Sequence, residues 1–350
     1  MENDNLITIL KILGRENISQ SSLVKRLQLS KSRISFLCKN LSDLNLIERS
    51  EGSLLDDEPI AGRPVQLLRL KPQRFYSAII INTTFEQSIN ICEYGKTSFL
   101  LTLKFKAQSA SDLALEAQIL IKKALDSLSI NKNLLLAIVV ATQASLEQGE
   151  NGTIFRDNVL IDTNFNLSGI IKDKTGIRTF VYNYAYSHLL CLQHSHFTNT
   201  DHAIALMCGE GSVALGIFIN GKILLGPNNT FTECSALPFT YGFEKSLGTY
   251  GPHTKEALLF AIEVLAPIFK IYRIFLSGST FDNNLEVIRE IQIELKNQTS
   301  PILSQIKLEY WDHETRHFMR EFMFLSFDKI SEIINPQFIK HDLNQILSHN

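Results

Sequence analysis

The sequence predicts an α/β protein with a small helical head, on three observations. From residue 76 onward, short apolar runs of strand character alternate with amphipathic helical stretches, which is the pattern of α/β rather than all-β architecture. Leu134–Val140 is almost continuously apolar, as a strand buried on both faces must be. Residues 3–44, by contrast, show helical periodicity with serines where caps belong.

The head begins with Leu6, Ile9, Leu10 and Leu13 at helical spacing, so Asn3–Leu13 is a predicted amphipathic helix ending at Gly14. Ser19 stands as the N-cap of a short helix that turns Leu23 and Leu27 inward. Gln28-Leu29-Ser30 is a tight connection, and Ser30 caps a third helix. On that helix Ile34, Leu37, Cys38, Leu41 and Leu44 form the inner stripe, leaving Lys31, Ser32, Arg33, Ser35, Phe36 and Lys39 on other faces. Two short helices joined by a brief turn, the second polar and basic at its N-terminal end, make the geometry that enters a DNA major groove. Lys31, Arg33 and Lys39 suit phosphates or guanine edges, and Ser30, Ser32 and Ser35 suit bases or phosphates.

Leu46–Arg49 and Val65–Leu70 then flank a polar, acidic loop, the sequence of a two-stranded wing. The loop ends in Gly62-Arg63-Pro64. Glycine allows close backbone approach and proline holds its neighbour extended, so Arg63 is placed to enter a narrow minor groove. A plain linker turn is the alternative reading of the same tripeptide.

Charge follows this division. The chain has 350 residues, a formal net charge of −2, 45% hydrophobic and 20% charged residues, a composition for two or three domains with sizeable cores. Residues 1–74 carry 12 Lys/Arg against 9 Asp/Glu, whereas the remainder carries 22 against 27. A basic head on an acidic body points to a head that meets a polyanion; a solubilising excess of Lys is the bland alternative. No stretch approaches the about 20 apolar residues that span a bilayer. The N-terminus is unlike a secretory signal, and five scattered cysteines make no disulfide framework, so the expected location is the cytoplasm.

In the body, Tyr76–Ile81, Gln87–Cys92 and Phe99–Phe105 read as strands, Ser111–Leu128 as a helix and Leu134–Val140 as the buried strand. Asp201–Met207 and Val213–Ile219 are further strands, followed by a tight turn at Asn220-Gly221-Lys222. Ala257–Phe269 and Glu286–Lys296 are helices around the strand Arg273–Leu276. After Asn335-Pro336, Phe338, Ile339, Leu343, Ile346 and Leu347 mark a helical tail that packs on its own chain or across a dimer.

Helix, helix-turn-helix, wing, Gly-Arg-Pro and then Leu70-Lys71-Pro72 leading into an apolar strand together resemble the repressors of the ROK family (repressors, open reading frames, kinases). The resemblance is most specific over Ile18–Glu48 and Gly62–Pro72 and continues more weakly to about Asp328. It implies a winged helix-turn-helix over residues 1–72, followed by a two-lobed actin-like (ribonuclease H-like) sugar-kinase fold. The lobes would be 73–185 and 186–350, the second including the C-terminal helices. In the family, the cleft between the lobes holds a sugar effector in repressors, or sugar and ATP in kinases.

The family's kinase chemistry is missing from the matching positions. Where kinases carry an Asp-Ile-Gly-Gly-Thr phosphate loop, this chain has Ile81-Asn82-Thr83-Thr84-Phe85, without glycine or acid. Where the catalytic aspartate stands, this chain has Tyr184, a poor base near pH 7. The second phosphate loop survives in part as Gly209-Glu210-Gly211-Ser212, and Glu210 would repel a phosphate. The family's zinc-ligating His is replaced by Ala236, and no Cys follows Cys234, so neither zinc nor another cofactor is expected. Asn158, Asn183 and Glu233 match positions where the family contacts sugar. Tyr182, Tyr184 and Tyr186 alternate along what reads as a strand end, either filling the old cleft as core or forming an aromatic platform. His188, Cys191, His194, His196 and His202 could suggest a metal, as could His313 and His317, but helix and loop surfaces explain them.

The expectation is a sequence-specific DNA-binding regulator, dimeric or a dimer of dimers, acting on carbohydrate-related genes. It would lack enzymatic activity and respond to a sugar effector if to any. The alternatives are a divergent sugar-binding protein or sugar kinase, and a repressor controlled by a protein partner.

Overall fold

The computed structural model describes residues 2–334, apart from 53–64, 199, 210, 231, 233, 235, 236, 283, 313 and 314. Gly62, Arg63, Pro64, Glu233 and the tail 338–347 therefore lie outside the described residues.

The chain opens with α1 (Glu2–Leu13), β1 (Ile18–Ser19), α2 (Gln20–Leu27), α3 (Lys31–Asp43), β2 (Ile47–Gly52) and β3 (Val65–Leu70). Ser19 and Ser30 cap α2 and α3, their hydroxyls accepting from the backbone N–H groups of Ser22 and Arg33. Gln28 takes a left-handed conformation at φ 53°, which stops α2 and lets α3 begin three residues later. Ile34, Leu37, Cys38 and Leu41 of α3 are buried, as expected, against a core that includes Leu6, Ile9, Leu10 and Leu23. The three strands form an antiparallel sheet ordered β1-β3-β2, with Ile18 opposite Leu68 and Ile47 opposite Leu70. These elements follow the order expected from the sequence.

The body holds two five-stranded sheets of one topology. The first is built from β4 (Tyr76–Asn82), β5 (Gln87–Glu93), β6 (Phe99–Lys104), β7 (Leu135–Thr142) and β11 (Thr179–Asn183), in the order β11-β7-β4-β5-β6. Its first three strands form an antiparallel meander, and β7 and β11 add in parallel beside β4. α4 (Ala110–Ser127) and α5 (Leu167–Thr175) cover one face. A small antiparallel sheet of β8 (Ala144–Leu146), β9 (Thr153–Asp157) and β10 (Phe165–Asn166) lies between β7 and α5 in sequence. Every residue of β7 is buried, which is why its sequence shows no alternation.

After α6 (Tyr184–His196) the second sheet repeats the plan with β12 (Ala203–Gly209), β13 (Ser212–Ile219), β14 (Lys222–Ile223), β15 (Arg273–Ser277) and β16 (Lys307–Tyr310). Its order is β14-β13-β12-β15-β16, again a meander with two parallel additions. The β13–β14 turn places Asn220 and Gly221 at φ 52° and 69°, the two positive values that a two-residue hairpin turn demands. α7 (Phe243–Gly248), α8 (Thr254–Phe269), α9 (Ser279–Asp282) and α10 (Leu285–Lys296) complete this half. Thus the expected α/β class and twin-sheet architecture are present.

Two elements tie the halves together. Leu189 and Leu192 of α6 pack with Ala203, Ala205 and Phe218 of the second sheet, while Tyr184 and Tyr186 at its start lie against the core of the first. α11 (Thr315–Ile333) follows the second sheet in sequence but returns to the first. Its Phe322, Phe327 and Ile330 join Ile79, Ile81 and Val139 of the first sheet and Leu10 and Leu13 of α1 in a single core. One reading of the sequence needs correction: Tyr184 and Tyr186 do not continue a strand but begin α6, because Asn183 caps a helix there.

Candidate nucleic-acid interface and inter-lobe cleft

With one side of α3 sunk in the core, its other side faces outward. Ser30, Lys31, Ser32, Ser35, Phe36 and Lys39 are exposed and Arg33 is half-buried. The structure brings these predicted residues together on a single face, at the helix's N-terminal half. Ser30 and Ser32 share a hydrogen bond of 3.0 Å between their hydroxyls, and the Arg33 guanidinium lies 5.6 Å from the centre of the Phe36 ring. Beside them on α2, Lys25 and Arg26 are exposed, Arg26 being paired with Glu16. Across β2 and β3 Arg69 pairs with Glu48, and Arg49 donates to Gln66. Phe36 is absent from the predicted DNA contacts, although its spacing of four residues from Ser32 and three from Lys39 puts it on their face.

A cavity of about 500 Å³ opens between the two sheets. Its walls include Phe85 and Glu86 after β4, Gln143–Ser145 after β7, Arg156 and Asn158, the start of α6, and the β12–β13 turn with Gly278-Ser279. Backbones approach closely on the second-sheet side. A side chain at Gly248 would meet the carbonyl carbon of Gly211 at 2.4 Å, and one at Gly209 would meet the Ser279 hydroxyl at the same distance.

The first-sheet side is filled by large groups where a phosphate loop was expected to have been lost. Ile81 is fully buried in the core that α11 shares and does not line the cavity. Thr83 closes a tight turn by donating its N–H to Glu86 O at 2.9 Å, and the Thr84 N–H is held by Gln143. Phe85 sits edge-on to Tyr184, ring centres 5.6 Å apart, and Tyr184 in turn meets His188 at 5.2 Å. Burial, with Glu86 nearby, pushes the Tyr184 phenol well above its usual range, so at neutral pH it carries its proton and cannot act as a base. Tyr182 and Tyr186 stack, ring centres 6.0 Å apart, against the core of the first sheet.

The two described asparagines of the predicted sugar site both line the cavity but differ in kind. Asn183 accepts from the Ala185 N–H and donates to Ala144 O, both at 2.8 Å, so its amide fastens the start of α6 to β8. Asn158 is exposed. Beneath them runs a chain of side-chain hydrogen bonds: Gln87 donates to Asn82, Asn82 to Thr142 and Thr142 to Asp157, over 2.8, 3.0 and 2.9 Å. Asp157 also accepts from the Val159 and Leu160 N–H groups, although burial pushes its carboxyl up.

Among the described residues no group of three or more His, Cys, Asp or Glu could hold a metal ion, and no helix is long and apolar enough to cross a membrane. The histidines go separate ways. His188 is buried under Tyr184, His194 pairs with Glu321 at 3.0 Å, and His196 lies edge-on to Phe275. Burial raises the Cys191 thiol to about 11.

The sequence matches no family model and no curated protein. Solved structures do match. A ROK family transcriptional regulator, a homologue of the E. coli MLC protein, superposes with a TM-score of 0.68 at 15% identity, over 95% of this chain and 98% of its own. A ROK hexokinase from Thermus thermophilus (TM-score 0.50, 13% identity) covers 74% of this chain and 99% of its own. A ROK family protein from Streptococcus pneumoniae TIGR4 in complex with sucrose (TM-score 0.52, 10% identity) covers 74% and 100%. From head to α11, then, this chain has the fold of the ROK family, the one shared by that regulator and by sugar kinases.

Proposed function

We propose that the chain is a sequence-specific, DNA-binding transcriptional regulator of the ROK type whose body no longer phosphorylates sugar. The observation that carries this is the outward face of α3, where two lysines, an arginine and three serines project from a helix whose other side anchors it. Phosphate contacts would come from Lys31 and Lys39, and base contacts from Arg33, Ser32 and Ser35, with Ser30 placing a backbone N–H cluster at the helix start. Arg63, between Gly62 and Pro64, would enter the adjacent minor groove. The coverage of the solved relatives supports this reading. The regulator matches nearly the whole chain, and the kinase matches all but about a quarter, an excess the size of residues 1–72 and 335–350 together.

In this reading residues 1–72 are the DNA-binding unit and 73–185 and 186–350 are the lobes. Two copies would present paired α3 helices about 34–36 Å apart, or a multiple of that, on a palindromic operator of carbohydrate-related genes. Titration of the full chain against duplex DNA by fluorescence anisotropy tests it. Arg33→Ala and Arg63→Ala should each weaken operator binding about tenfold or more. Undiminished affinity in both variants would refute the proposal.

A second, compatible reading is that the cleft senses a small polyol such as a sugar. It is favoured by Asn158 and Arg156 opening into the cavity and by the sucrose held by the Streptococcus pneumoniae relative. Thermal unfolding in the presence of sugars and sugar phosphates tests it, since a ligand of the native state raises the Tm.

A further inference from the structure

We infer that Phe36 recognises a thymine methyl group in the operator, and so sets sequence preference at one base pair. The inference rests on the DNA-binding reading above and deepens it. Opposite the buried stripe of Ile34, Leu37, Cys38 and Leu41, the outward face of α3 carries Lys31, Ser32, Ser35, Phe36 and Lys39. All but Phe36 carry charge or a hydroxyl that can form hydrogen bonds; Phe36 has neither, yet it is 48% exposed. Among the described residues of the head it is the one large apolar side chain left in solvent.

The ring is held in place. The Arg33 guanidinium lies 5.6 Å from its centre, close enough for a cation–π contact that fixes one side of the ring and leaves the rest open. An isolated ring among serines and cations is too small an apolar surface for a protein partner, whose interface needs a far larger patch. It also projects from the middle of a helix face, whereas side chains that wedge between base steps work from the minor groove. In the major groove the one apolar feature on a base edge is the C5 methyl of thymine. A phenyl group flanked by an arginine and two serines offers that methyl a dry contact while its neighbours take the polar edges and phosphates.

The experiment uses the full chain. Selection from a random duplex library defines the preferred site, and anisotropy then measures that site with each thymine replaced in turn by deoxyuridine, which lacks only the methyl. Wild type should lose about three- to fivefold in affinity at one thymine position, the scale of one buried carbon. Phe36→Ala should lose that penalty and keep all others, with its salt dependence unchanged because the phosphate contacts remain. Phe36→Leu should keep part of the penalty. If Phe36→Ala selects the same site and pays the same deoxyuridine penalties, the assignment of Phe36 is wrong while DNA binding stands. If wild type shows no salt-dependent duplex binding at all, both readings fall. The ring is half in solvent, so Phe36→Ala should unfold at the wild-type temperature.

Discussion

Arg15, just beyond the end of α1, donates to Asp328 of α11 across 2.9 Å, joining two residues 313 positions apart. The contact is one of several between these helices. Lys11 pairs with Glu332 at 2.8 Å, and the Tyr94 hydroxyl bonds Leu10 O at 2.9 Å and the Ser331 hydroxyl at 2.7 Å. Higher on the same helix, Phe322 lies 6.0 Å from the Tyr184 ring and Glu321 meets His194. One helix thus touches both the head and the wall of the cleft.

Asp328→Ala should destabilise the protein by about 1–3 kcal/mol, because it strips a half-buried guanidinium of its partner. Burial already pushes the Asp328 carboxyl up against the pull of Arg15 and Lys11, and partial exposure keeps the loss toward the lower end of that range. Urea unfolding of Arg15→Ala, Asp328→Ala and the double variant measures it. Effects that simply add would show that the two side chains do not interact.

Lys39 is exposed one turn beyond Phe36. As a phosphate contact, its replacement by alanine should weaken binding about equally on all duplex sequences and lower the slope of log affinity against log salt by about one. An unchanged slope would remove Lys39 from the interface.

The two cleft asparagines should separate cleanly. Asn183→Ala removes the cap of α6 and a bond to Ala144 O, and should cost about 1 kcal/mol or more in thermal or chemical unfolding. Asn158→Ala, at an exposed position, should leave stability unchanged and alter only ligand response. Equal stability losses would contradict this division.

On the far edge of the second sheet Arg273 holds Glu309 with two bonds, 2.7 and 3.0 Å. That pairing keeps the Glu309 carboxyl below its usual value, against some burial. A depressed folded-state pKa means the unfolded state binds more protons in that range, so the stabilisation is full above about 4.5 and is lost as pH falls through the lower, folded value. Both groups are one-third exposed, so the pair contributes about 0.5 kcal/mol. Glu309→Gln should therefore be slightly less stable than wild type at pH 7 and converge with it in acid. A gap that widens on acidification would reverse the assignment.

Incubation with labelled ATP and a panel of hexoses should release no sugar phosphate above background. Tyr184, at the position that the resemblance gives to the catalytic base, is protonated and packed between Phe85 and His188, and Thr83, Thr84 and Phe85 fill the turn after β4. Sustained turnover would overturn the non-enzymatic reading.

Adjacent residues define the separate elements. Serine caps and the i, i+3, i+4 spacing of Ile34, Leu37 and Leu41 define α3 and its outer face, and the unbroken run after Leu134 defines the central strand, because local propensity and burial periodicity are written in adjacent residues. The loss of glycine at Asn82–Phe85 was equally plain. Only the folded chain shows that α11 returns from the second half to lie under α1, that the Asn183 amide donates to Ala144 O, and that Tyr184 turns into the cleft while Tyr182 turns into the core. Each of these depends on contacts between segments up to three hundred positions apart, and no local period records which distant surface an apolar stripe will meet.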